Sequence, residues 1–206
     1  VMYLQPAGMT DELLDVMATH DNICNYFDIP LQHCDSVILK SMNRSGSRAE
    51  YEQMVARIRQ RIPGVALRTT LIVGYPGETE EQFEDLCDFV SGTEFDYVGI
   101  FAYSPEDGTP AAELPDQIDE DTKQARLQEL RDIADSVSSS VVSQRIGASM
   151  DILVLGCEED GQLYGRAQCQ APDVDGVTYL ENGTVGEIRT VTISDTLLYE
   201  MEALGD

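Results

Sequence analysis

Two stretches decide most of what this chain can fold into: residues 27–44, FDIPLQHCDSVILKSMNR, and residues 67–79, LRTTLIVGYPGET. Each sets strand-forming residues ahead of a turn, with a helix start beyond it. That order is the unit of parallel α/β folds, whose chemistry sits outside the carboxyl ends of the strands. Gln32, His33, Arg68 and the turn at 74–79 are therefore the positions to watch. Ile29 is held extended by the ring of Pro30. Arg68, Thr69 and Thr70 interrupt an otherwise apolar strand, and polar groups there need partners.

Periodicity and capping signals place the remaining elements. Residues 2–5 read as a short strand. Thr10 caps a helix over 11–20, with Leu13, Leu14, Met17 and Ala18 on one face. A strand at 24–31 follows, then a short helix capped by Asp35 and ending at 42. Ser47 and Glu50 frame a capping box that opens a helix to residue 62, where Pro63-Gly64 stops it. After a strand at 65–73, Thr79 and Gln82 frame a second capping box, for a helix to residue 90. A strand at 96–103, a Pro/Gly-rich loop at 104–115 and a long helix at 119–144 complete this part. Four strands alternating with helices predict a parallel sheet amounting to half a barrel. Beyond Arg145-Ile146-Gly147 come short strand candidates at 150–155, 163–167, 178–180 and 184–194, separated by Gly, Pro and Asn-Gly turns. They predict a small antiparallel barrel. Domains are expected at 1–144 and 145–206.

Charge narrows the function. With 38 acidic residues against 13 basic ones, net −25, the chain lacks the Lys/Arg surface that displaces counterions from nucleic acid. Acidity favours a basic partner, although a solubility or salt-adapted habitat effect would give the same charge. No apolar run approaches the roughly 18 residues of a membrane helix. No signal-peptide pattern stands at the start. Five cysteines without patterned spacing argue against a disulfide framework and for a reducing cytoplasm. Each is expected to be a small buried apolar residue. His20 and His33 are too few for a hydrolase or zinc site, and no metal ligand is expected within the chain.

The wording of these blocks resembles the radical S-adenosylmethionine methylthiotransferases. PLQH at 30–33, RTTLIVGYPGET at 68–79 and FAYSPEDGTPAA at 101–112 stand in that family's order. They are most similar to the branch that modifies an aspartate of small-subunit ribosomal protein S-twelve. GRAQCQAPDVDG at 165–176 resembles the TRAM domain, the OB-like barrel that ends these enzymes. TLLYEMEAL at 196–204 lacks the glycine usual in the closing strand, which leaves that strand's geometry open. The family holds its radical cluster with cysteines spaced C-x3-C-x2-C, and Cys24, Cys34, Cys87, Cys157 and Cys169 fit that spacing nowhere. VMYLQPAG at 1–8 resembles the middle of a barrel strand. The chain is thus expected to be the C-terminal part of a larger enzyme, inactive alone.

The resemblance implies an α/β fold, the C-terminal part of a radical SAM (β/α) partial TIM barrel followed by a TRAM barrel. It implies S-adenosylmethionine and two [4Fe-4S] clusters, both ligated outside this chain, together with an electron donor. One S-adenosylmethionine yields the 5′-deoxyadenosyl radical that takes hydrogen from the target aspartate's β-carbon. Sulfur is then inserted, and a second S-adenosylmethionine supplies the methyl. The protein orients and excludes water.

The site residues follow from both readings. The Gln32 amide ends a strand, where it can bond a ribose or carboxylate or simply cap the strand. Arg68 and Thr70 share a face at period two. An inward arginine needs an anion: either the cofactor's α-carboxylate, gripped bidentately, or an internal carboxylate. The resemblance packs Ile72 on adenine and uses Gly74 for close backbone approach. Among Phe101, Tyr103 and Ser104, Tyr103 is the expected cofactor contact. Asp173 and Asp175 are expected to meet a basic partner, because OB-type barrels present such loops at their binding face. No catalytic residue is assigned. Two rivals stand beside this reading: a tRNA-adenosine methylthiotransferase of the same superfamily, and a non-enzymatic binding module. Residues 145–206 carry three arginines against twelve carboxylates, net −9. That suits a basic ribosomal protein better than tRNA.

Overall fold

The computed structural model describes residues 1–204. Three parallel strands form the first sheet in the order β1 (Tyr26–Asp28), β2 (Ala66–Val73), β3 (Tyr97–Ala102). Period-two alternation gives β2 two faces. Leu67, Leu71 and Val73 bury against the helices, in one core with Phe27 and Ile100. Arg68, Thr70 and Ile72 lie on the opposite face and are only half-buried.

The helices behind the sheet are α1 (Asp11–Thr19), α2 (Ser36–Ser41), α3 (Arg48–Arg61), α4 (Glu80–Thr93) and α5 (Glu120–Ser143). Four first turns are held as the sequence predicts, by side-chain caps from Thr10, Asp35, Ser47 and Thr79, and Asp119 caps α5 in the same way. At α4 the capping box is complete, with the Gln82 side chain returning to the Thr79 amide. Tyr51, Val55 and Ile58 from α3, Phe83, Leu86 and Phe89 from α4, and Leu127 and Leu130 from α5 fill the core. Each such side chain contributes about 1.5–3 kcal/mol by leaving water.

The sheet differs from expectation on its first edge. Residues 2–5 do not form a strand, so the sheet has three strands rather than four. Val1 still donates its N–H to Tyr26 O (2.8 Å) and accepts from Asp28 N (2.9 Å), and Leu4 N bonds Asp28 O (3.0 Å). This edge is partly covered without a continuous ladder. β1 is also shorter than expected, because Pro30 has no N–H to give. The Thr69 hydroxyl substitutes, donating to Ile29 O (2.9 Å) and accepting from Leu31 N (3.4 Å). Pairing resumes at Gln32, which bridges to Leu71. Asp28 pairs with Arg68, so the bulge inserts one residue on the β1 side.

The second sheet is a closed barrel, β4 (Ser149–Cys157), β5 (Leu163–Ala167), β6 (Thr178–Leu180), β7 (Ile188–Leu197) and β8 (Glu200–Leu204), in the order β4-β5-β6-β8-β7. The fourth candidate strand begins at 188, not 184, because Thr184 and Glu187 close a turn between them (2.9 Å). A fifth strand, β8, closes the barrel. Leu198 takes φ 57° where the chain turns from β7 into β8.

The barrel stands on the amino ends of the first sheet. Tyr26, Ala66 and Tyr97 are the first residues of β1, β2 and β3. All three are buried in one apolar cluster with Ile152, Leu180, Ile193 and Met201 of the barrel. Arg145 pairs with buried Asp96, and Tyr199 bonds Asp135 of α5. Both contacts pin the same seam.

Candidate functional site

The open face of the first sheet is built by three registers. Asp28 stands opposite Arg68, Thr70 opposite Gly99, and Ile72 opposite Phe101. Gly99 leaves space beside Thr70. A Cβ there would meet Arg68 Nη2 at 3.0 Å and Thr70 Oγ1 at 3.5 Å. Phe101 is 58% exposed. Thr70, Ile72, Gly99 and Phe101 therefore form a shelf on the carboxyl half of the sheet, with one hydroxyl, one aliphatic side chain, a glycine that makes room for the Arg68 guanidinium, and an aromatic ring. A flat, partly polar ring system suits such a surface.

Gln32 closes the top of β1 by backbone alone. Its N–H donates to Thr70 O and its carbonyl accepts from Ile72 N, both at 2.8 Å, with φ at 73°. A non-glycine residue held left-handed is strained, and such strain clusters at functional sites. The Gln32 amide is half-buried and has no protein partner among the described residues.

Gly74 ends β2 with φ 72°, and its N–H is shared by both oxygens of Glu78, each at 3.1 Å. Glu78 is buried and paired to Arg126 (2.8 Å), which also reaches Glu80 (2.8 Å). His33 is fully buried, with Nε2 3.4 Å from Glu78 Oε2. Its Nδ1 accepts from Asp35 N (2.9 Å), so the ring proton resides on Nε2, facing the carboxylate. Sequence reasoning set His33 aside because two histidines are too few for a hydrolase or zinc site, and it missed Glu78 and Arg126. The Glu78 signal lay in GYPGET itself, an acid one residue before the helix cap. Tyr103 packs edge-on to Tyr75 at 5.2 Å and bonds Val73 O through its N–H (2.9 Å).

Two expectations fail for a physical reason. Arg68 does have an anion, but a protein one: Nη1 bonds Asp28 Oδ1 at 3.0 Å, and Nε lies 3.2 Å from Asp175 Oδ1. Asp175 is accordingly 1% exposed, held by the Tyr26 hydroxyl (2.5 Å) and Ala171 N (2.9 Å). It cannot meet a partner. Burial pushes its carboxyl up, against the opposing pull of Tyr26, the Ala171 amide and Arg68. Asp173, two residues away, is exposed. Cys34, Cys87 and Cys169 are buried as expected, but Cys24 and Cys157 are exposed.

The radical SAM superfamily profile matches residues 2–90, and the TRAM domain profile matches residues 146–204. The ribosomal protein uS12 methylthiotransferase RimO of Alkaliphilus oremlandii is 45% identical over 184 residues, which is 89% of this chain and 42% of that protein. The proteins of the same name from Bdellovibrio bacteriovorus and Clostridioides difficile are each 42% identical, over 98% and 100% of this chain and 45% and 47% of theirs. The chain is similar to RimO proteins along nearly its whole length. It spans less than half the length of these RimO relatives. Coproporphyrinogen III oxidase (HemN) of Escherichia coli, described as a radical SAM enzyme, shares the fold at TM-score 0.50 and 16% identity, over 70% of this chain and 33% of that one.

The RimO relationship implies S-adenosylmethionine and an iron–sulfur cluster, and these two fare differently here. The shelf fits a nucleoside: Gln32's amide lacks a partner and Phe101 presents a free ring. The cluster does not fit. Among the described residues no three His, Cys, Asp or Glu side chains converge as metal ligands. Burial raises the Cys34 and Cys87 thiols, the latter to about 12, which disfavours the thiolate that a metal requires. No described helix is long and apolar enough to cross a membrane.

Proposed function

We propose that this chain supplies the nucleoside-binding shelf and terminal barrel of a methylthiotransferase acting on an aspartate of ribosomal protein S-twelve. The observation carrying this reading is the half-exposed shelf of Thr70, Ile72, Gly99 and Phe101, on the carboxyl half of a parallel sheet, in a chain at least 40% identical to RimO proteins. S-adenosylmethionine, when bound, supplies the adenosyl and methyl groups. Ile72 and Phe101 would bracket its adenine, Thr70 and Gln32 would bond its polar edges, and Gly74 and Tyr103 would shape the end of the site. Arg68 has its own carboxylates and is not assigned to the cofactor. The clusters would be ligated by residues outside this chain, and a separate partner would serve as their electron donor.

The barrel supports a protein substrate over tRNA. Glu158, Glu159, Asp160, Glu181 and Glu202 are all exposed on it. Opposite fields steer a basic protein toward such a surface and turn a polyanion away. A ribosomal substrate also places the protein in the cytoplasm. The test gives the longer protein, with clusters reconstituted, both S-twelve and tRNA, and reads each by mass spectrometry. A methylthio group on an S-twelve aspartate supports the proposal. Modified tRNA adenosine with untouched S-twelve moves the assignment to the tRNA rival.

A further inference from the structure

We infer that Asp175 is a positioning residue: it reaches out of the terminal barrel, fixes Arg68, and through Arg68 aims the Thr70 hydroxyl at whatever lies on the shelf. This rests on the nucleoside-binding reading and adds to it a mechanical link between the two sheets.

The loop at 171–176 shows why. Pro172, Asp173, Val174 and Gly176 are exposed, and Asp175 alone among 172–176 turns inward. Gly176, at φ 75°, makes that turn possible, since a Cβ there would stand 3.0 Å from Tyr199 O. Inside, the Tyr26 hydroxyl and Ala171 N–H both donate to Asp175 Oδ2, and Oδ1 is left facing Arg68 Nε at 3.2 Å. The guanidinium is thus held from the barrel side by an ion pair with Asp175, whose Oδ1 makes no hydrogen bond, and from the sheet by a hydrogen bond to Asp28. Its Nη2 sits 3.0 Å from the point where a Gly99 Cβ would be, so a side chain at 99 would displace it.

Between those holds, Arg68 Nη1 donates to Thr70 Oγ1 at 3.2 Å. A guanidinium has only donors, so the Thr70 oxygen must accept and its proton must point elsewhere. The described residues offer that proton no acceptor. Arg68 therefore turns Thr70 into a fixed donor for an acceptor atom on the ligand. Stability does not explain the arrangement. Two buried carboxylates around one guanidinium cost desolvation that apolar side chains of similar size avoid. A directing role does explain it.

The test measures calorimetric binding of S-adenosylhomocysteine to the protein. Thr70→Val removes the donor and is expected to weaken binding about fivefold, the range of a single neutral hydrogen bond. Asp175→Asn should weaken it by a similar factor. Arg68→Lys, which keeps the charge but not the fork, should do the same and guards against a folding defect in the first variant. Thr70→Ser should bind like the unsubstituted protein. The decisive measurement is the double variant Asp175→Asn/Thr70→Val. If Asp175 acts through that hydroxyl, the double variant binds no more weakly than Thr70→Val. Additive losses, or full affinity in Asp175→Asn, overturn this inference alone. Absence of binding by the unsubstituted protein overturns the shelf reading and this inference with it. Amide exchange at 171–177, faster in Asp175→Asn with the rest of the barrel unchanged, verifies that the loop was held by the pair.

Discussion

Lys123 lays its side-chain stem across the backbone of Gly74, its Cγ 2.3 Å from where a Cβ would stand. Its ammonium then bonds Tyr103 O (3.2 Å) and Glu120 (2.8 Å). One residue of α5 thereby closes the carboxyl ends of β2 and β3 together.

Gly74→Ala should consequently cost more than backbone strain. The left-handed φ adds about 1–2 kcal/mol, and displacing the lysine stem adds about 1–3 kcal/mol of overpacking. Urea unfolding at equilibrium measures the sum. A loss under about 1 kcal/mol would mean that Lys123 swings aside freely.

Glu78→Ala should be among the most destabilising single changes in the chain, by about 3–5 kcal/mol, because it leaves Arg126 buried without its main carboxylate. The same change frees the Gly74 amide and removes the group facing His33 Nε2. Replacing Arg126 by Met in the Glu78→Ala background should recover part of the loss. The measurement is chemical denaturation of the two variants side by side.

Asp96 gives the seam a pH dependence. Burial raises its carboxyl above the ordinary 3.8, outweighing the pull of Arg145 and of the Leu67 amide. The folded state thus holds this proton more tightly than the unfolded state. The resulting stability is complete below pH 3.8 and is lost as pH rises through the folded value. The melting temperature of the unsubstituted protein, compared with Asp96→Asn, should decline as pH increases above about 4. A difference that stays flat from pH 4 to 7 would show Asp96 to be unshifted.

Much of the fold was legible because its signals are local. Caps at Thr10, Asp35, Ser47 and Thr79 need only the next three residues to act, and the alternation in RTTLIV put Arg68 and Thr70 on one face of β2 while leaving open whether that face met the helices. The bulge at Pro30 was half legible. The proline showed that Ile29 is extended, but not that the ladder would break there or that Thr69 would bridge the gap. What the sequence hid is long-range. Arg68 was rightly read as needing an anion, yet Asp175 lies far along the chain in a loop whose neighbours are all solvated. His33 was undervalued for the same reason: its partner, Glu78, is brought to it only when β1 and β2 pair.

The barrel's position at the amino ends of β1–β3 acts as a ruler. β2 runs eight residues from Ala66 to Val73, about 23 Å at strand rise, with the barrel below one end and the shelf toward the other. A substrate held by both would gain from linkage, since the second grip is made at the effective concentration that the first one sets. That gain vanishes for a ligand too short to span the distance. Under the proposed function, an excised peptide around the target aspartate should therefore be a far poorer substrate than the folded ribosomal protein, however well its few residues suit the shelf.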